Sequence, residues 1–135
     1  MEIIERVPHH LVGPSLTATL GELPEVVGRV WRRAFELADS EDTVFAEFSE
    51  DPGDGTRFVV VGRLVPEPTE DSTFVPGGRW VHHTHEGPIA DIGDSFGAMF
   101  EFAVVQGETV GTLKLDVGYE PDASEHVHQL YLQLV

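Results

Sequence analysis

The sequence contains no cysteine, which excludes a disulfide, a thiolate nucleophile and any sulfur-ligated metal. Positive charge is nearly as scarce: Lys114 is the single lysine, and with seven arginines it faces 24 acidic residues, for a net charge of -16. Affinity for phosphate comes chiefly from basic side chains, so direct binding of DNA or RNA is not expected. No apolar run approaches the roughly 20 residues of a membrane span, and the start "MEIIERVPHH" lacks the basic head and apolar middle of a signal peptide. A cytoplasmic protein without membrane contact is expected. A nucleophile elbow is missing too, since "GPSLT" around Ser15 is not Gly-x-Ser-x-Gly. There is no Gly-rich phosphate loop, and no catalytic residue or cofactor is assigned.

What is present is one domain's worth of chain. A sequence of 135 residues, 41% hydrophobic, should bury roughly two-thirds of its unfolded surface around one core. Its acidic residues are scattered and form no continuous block, which favours a solvating surface of the kind found in salt-loaded, halophilic cytosols. The competing reading is a protein that imitates DNA to occupy a basic partner.

The chain also repeats itself. "VPHHLVGPSLTATLGELPEVVG" from Val7 lines up with "VPGGRWVHHTHEGPIADIG" from Val75, and "VFAEFSEDP" from Val44 with "LKLDVGYEP" from Leu113, which sets Glu47 opposite Asp116. Each half reads strand, helix, strand, strand. Ile3 to Thr19 is extended; Pro24 to Ala38 places Val27, Val30, Ala34 and Leu37 at helical spacing; Thr43 to Phe48 and Arg57 to Val65 are strands about the turn "DPGDG". In the second half a helix begins near Pro88, with Ile89, Ile92, Phe96, Met99 and Ala103 on one stripe and Gly107 as its stop. Val110 to Val117 and His126 to Leu134 follow as strands. The acidic segment "VPEPTEDSTFVP" between the halves reads as a linker. The pattern predicts an α+β fold in one domain, 1–135: two pseudo-twofold βαββ modules, about 1–66 and 74–135, sharing one antiparallel sheet with both helices on one face. No segment is left over for a helix-turn-helix.

With "VPGGRW", "HEGPIADIG", "FEFAVVQG", "DVGYEP" and "HVHQLYLQLV" in that order, nearly the whole chain resembles the DNA-gyrase-inhibitor-like (GyrI-like) family of small-molecule effector-binding domains found in transcription regulators. The resemblance implies a groove between two modules, lined with aromatics, and a carboxylate in the third strand of the second module that receives the charge of amphipathic ligands. It puts Asp116 at or near that carboxylate, with Glu47 as its counterpart. The family often has tyrosine after Gly-Pro where this chain has Ile89, and a glutamate closely followed by tyrosine where this chain has Asp116, Val117, Gly118 and Tyr119.

The ligand-binding residues expected on these grounds are Glu47, Trp80, Phe100, Asp116 and Tyr119. Aromatic faces suit a flat or cationic ligand, and Gly93 and Gly97 beside Phe100 would let a ligand or a neighbouring helix approach. Strand alternation leaves Glu47 two fates, a polar pocket or open solvent, according to which face of its strand meets the helices. His83, His85, His126 and His128 form two His-x-His pairs that could meet on zinc if their strands were neighbours; the favoured alternative is no metal, with His85 fixing the turn into the helix. The functional reading is a stand-alone effector-binding domain that holds an amphipathic or aromatic ligand, cationic or neutral, in the groove between its two modules. Two alternatives stay open: an acidic module acting on a protein partner such as DNA gyrase, and a hydrolase of small electrophiles.

Overall fold

The computed structural model describes residues 1–38, 42–119 and 125–135, with the backbone alone at positions 125 and 126. Runs of β-branched and aromatic residues form nine strands: β1 (Glu2–Arg6), β2 (His9–Val12), β3 (Ser15–Thr19), β4 (Phe45–Glu50), β5 (Thr56–Val65), β6 (Ser72–Val75), β7 (Gly78–Pro88), β8 (Val110–Tyr119) and β9 (Glu125–Leu134). Two helices, α1 (Leu23–Ala34) and α2 (Ile92–Val105), complete the α+β fold. Neither helix, and none among the described residues, is long and apolar enough to cross a membrane.

All strands join one antiparallel sheet in the order β1-β7-β9-β8-β4-β5-β2-β6, with β3 also on β5. Read outward from its centre the order is the same in both directions: β4 and β8 meet in the middle, β5 and β9 flank them, and β2 and β7 lie beyond. The doubling in the sequence is therefore a doubling of the βαββ unit. The central contact pairs Glu47 directly with Asp116, the two residues that the internal match of "VFAEFSEDP" with "LKLDVGYEP" makes equivalent.

Three features differ from the sequence reading. Ile3 to Thr19 is three strands, because the chain turns at Val7–Pro8 and again at Gly13–Pro14. The segment read as a linker contributes β6, which pairs with β2 through Val75↔His9 to Ser72↔Val12; its prolines sit outside the four bonded residues, where a missing N–H does no harm. Pro88 closes β7 and does not open a helix; one turn of 3-10 helix over Ile89–Asp91 intervenes before α2.

The sheet is buried on both faces. On one, α2 covers Val81, Leu130, Leu132 and Leu134, while α1 covers Phe45, Val59 and Val61 through Trp31 and Ala34. On the other, side chains from widely separated strands, among them Leu11, Phe48, Val75, Trp80 and Leu115, meet each other without any helix. That is achieved by curling the sheet over them.

The curl brings backbone against backbone where the β2–β3 kink crosses β5. A β-carbon at Gly13 would lie 1.9 Å from the Val61 carbonyl oxygen, and one at Gly62 would lie 2.0 Å from that of Val12. Both obstacles are main chain, so neither can swing aside. Gly62→Ala is expected to destabilise the protein by about 3 kcal/mol, the upper range of overpacking, read as a lower denaturant midpoint; an unchanged midpoint would show that the crossing is looser.

Candidate functional site

The two helices leave a cleft between their N-terminal halves. Leu23, Pro24 and Val27 of α1 form one wall, Ile92, Gly93 and Phe96 of α2 the other, and Glu47, Ser49, Lys114, Asp116 and Tyr119 the floor. Its volume is about 410 Å3, within the range of small-molecule pockets. An adjoining lobe of about 420 Å3 shares Arg57, Gly93, Phe96 and Lys114 and extends to Gly97 and Phe100. Nothing lies within 4 Å of a β-carbon built at Gly93 or Gly97. These glycines open onto the cleft, and no helix packs on them.

The floor is polar because β4 and β8 turn alternate residues to this side. Glu47 and Asp116 make one rung, Ser49 and Lys114 the next. Asp116 is only 3% exposed and is held from two sides: His128 Nδ1 donates to its Oδ1, and the Tyr119 hydroxyl donates to it as well. Glu47 is held more loosely, with the indole N–H of Trp31 donating to Oε1 at 3.4 Å. Burial first, and then the neighbouring charge of Asp116, push the Glu47 carboxyl up to about 7, while the Trp31 hydrogen bond and His128 act the other way. The Tyr119 phenol is raised by burial and by both carboxylates, so it stays a donor.

Tyr119 reaches this face through a bulge. By strict alternation it would follow Val117 to the opposite side, but the pairing slips from Ala46↔Val117 to Phe45↔Tyr119. The extra residue is Gly118, at φ +124° with its α-carbon facing the Val127 carbonyl, a conformation and a space that exclude a side chain. The ring then stacks on Trp31 at 4.4 Å between centroids and meets the edge of His128 at 4.6 Å.

Of the residues expected from sequence, Glu47, Asp116 and Tyr119 come together in the cleft, and Phe100, half-exposed, lies in the adjoining lobe. Trp80 does not join them. It points to the opposite face of β7, fully buried in the curled core, with the Arg6 guanidinium over its ring at 5.9 Å. Trp31, Phe96, His128, Arg57 and Lys114 also line or support the site, beyond the residues that the sequence points to. Trp31 had a signal, since it shares the helical stripe of Val27 and Ala34; His128 had only its His-x-His spacing.

The histidines divide by face. His85 Nε2 donates to the Pro88 carbonyl at 2.9 Å, which leaves Nδ1 to accept from the Ser95 hydroxyl at 2.8 Å. It thus ties the end of β7 to α2, as expected. β7 and β9 are neighbours, and His85 pairs with His128, yet both rings are engaged in these bonds. Among the described residues no group of three His, Asp or Glu side chains could hold a metal ion. The side chain of His126 and the end of the "DVGYEP" motif, Glu120 and Pro121, lie outside the described residues.

No family model matches the chain, and neither does any curated protein. Solved structures share its fold. A candidate bacterial transcription regulation protein of Staphylococcus aureus MU50 superposes with a TM-score of 0.70 at 8% identity, covering 98% of this chain and 96% of that one. SAV2435 bound to tetraphenylphosphonium gives 0.71 at 9%, covering 99% and 93%. An integron cassette protein from the mobile metagenome of Vibrio cholerae gives 0.71 at 11%, covering 99% and 95%. At these identities the likeness is one of fold, and it is consistent with the GyrI-like effector-binding fold that the sequence resembles.

Proposed function

We propose that the protein binds an amphipathic, cationic small molecule in the cleft between α1 and α2, with Glu47 and Asp116 as its counter-charge. The observation that carries this reading is the directly paired carboxylates at the floor of a largely apolar cleft. Two acids placed so close in a desolvated setting repel each other. Among the described residues no lysine or arginine makes an ion pair with Glu47. A cation entering the cleft would relieve that repulsion. Leu23, Val27, Ile92 and Phe96 would supply apolar contact, and Tyr119, backed by Trp31, a ring face for the charge. A neighbour in fold, SAV2435, binds a compound of this class, tetraphenylphosphonium. The protein would act by sequestering its ligand or by becoming more ordered around it.

Calorimetric titration at pH 8 with tetraphenylphosphonium tests the reading. Wild type is expected to bind, and Glu47→Gln and Asp116→Asn to bind about tenfold more weakly, each having lost one charge from a desolvated pair. Equal affinities in all three proteins would refute the role of the carboxylates.

A further inference from the structure

The cleft has a second charged end. Lys114 lies one rung beyond Asp116 on β8, paired with Ser49, and its ammonium sits 5.1 Å from the centre of the Phe96 ring. Arg57 lines the same space and also the adjoining lobe. A chain with eight basic residues against 24 acidic ones thus commits its single lysine and one of its arginines to this cavity. The two cations stand close enough to disfavour each other: Lys114 is lowered by burial and then by Arg57, with Asp51 in opposition. Arg57 Nη2 is paired with Asp51 Oδ2 at 3.3 Å, and its remaining N–H groups still offer donors. No carboxylate among the described residues is within ion-pair distance of Lys114.

Resting on the binding reading above, we propose that the ligand is zwitterionic: its cationic centre sits over Glu47 and Asp116, and an anionic group, a carboxylate or its equivalent, is received by Lys114 and Arg57. Adjacent same-face residues are roughly 6.6 Å apart along β8, so a ligand whose charges are separated by about four or five bonded atoms can span one rung of the floor. The Ser49 hydroxyl lies between the two ends on the same floor. Long-range electrostatics alone would oppose this preference. A protein of charge -16 attracts a plain cation more than a zwitterion of the same shape, and only a local cationic subsite reverses that order.

Two phosphonium salts of matched size test the proposal: (4-carboxybutyl)triphenylphosphonium and pentyltriphenylphosphonium, titrated at pH 8 and moderate salt into wild type and Lys114→Met. Wild type is expected to bind the carboxylate compound about tenfold more tightly, the value of one charge-assisted hydrogen-bonded contact. In Lys114→Met that preference is expected to fall to about threefold or less, with Arg57 alone left at the anion end. Equal or reversed affinities in wild type would overturn the zwitterion while leaving cation binding intact. A preference that stays about tenfold in Lys114→Met would overturn the assignment of Lys114 to the anion subsite. If wild type binds neither compound, the binding reading itself falls and takes this inference with it. The wild-type comparison needs no variant, so a misfolded Lys114→Met would not rescue the proposal.

Discussion

At pH 8 the Glu47→Gln variant is expected to melt well above wild type, and at pH 5 the two are expected to converge. The sign follows from the direction of the shift. Glu47 is pushed up to about 7 in the folded protein by burial and by Asp116, from an ordinary 4.5. Between those values the folded state holds a proton that the unfolded chain has released. Stability is therefore lost as pH rises through this window, and the loss is complete above 7. A displacement of that size corresponds to about 3 kcal/mol, or roughly 10 °C in a domain of this length. Glutamine is isosteric, accepts the same Trp31 hydrogen bond and carries no charge to desolvate. Thermal melts of both proteins across pH 5 to 8 decide the matter; a difference that does not change with pH would mean that the carboxyl is ordinary. The same titration governs ligand binding with the opposite benefit, since a cation needs the ionised form. Tetraphenylphosphonium affinity for wild type is expected to rise between pH 6 and 8 as stability falls, the signature of a site that gives up folding energy for charge.

Trp80→Ala is expected to cost about 3–5 kcal/mol, enough to remove much of the stability of an ordinary domain. The side chain is fully buried among Leu11, Phe48, Val75 and Leu115, so truncation leaves a cavity that a sheet closed over itself cannot fill. Trp80→Phe keeps most of the volume. It also removes a buried indole N–H that has no hydrogen-bond partner among the described residues. It is expected to fold and to bind tetraphenylphosphonium with wild-type affinity. The pair separates two roles for this tryptophan: weakened ligand binding by Trp80→Phe, with the fold intact, would return it to the cleft.

That tryptophan also shows where sequence reasoning stops. Alternation along β7 sorts Trp80 from Val81 with certainty, but it does not say which set meets the helices. In most sheets polarity answers that question. Here both faces are buried, so Phe45 and Phe48 look equally internal although they belong to different cores. The internal doubling carries far: it makes β4 the equivalent of β8 and Glu47 that of Asp116, while their direct pairing at the centre of the sheet is visible only in the fold. Tyr119 was legible as an aromatic near the site, yet the bulge that turns it inward is a matter of one glycine's backbone. Lys114 and Arg57 were seen as part of the charge count. Their convergence depends on β5 and β8 being separated only by β4, a distance relation that local pattern does not contain.

The outermost strands carry a consequence for how the chain holds together. β1 precedes the first half but seals the edge of β7 in the second, whereas β6 precedes the second half and seals β2 in the first. Each half thus wears a border taken from ahead of its twin. A cut in the loop between Val65 and Ser72 would give two fragments that are mutual custodians, each carrying the hem that the other lacks. A lone copy without its twin's leading strand would present a bare margin to any stray strand.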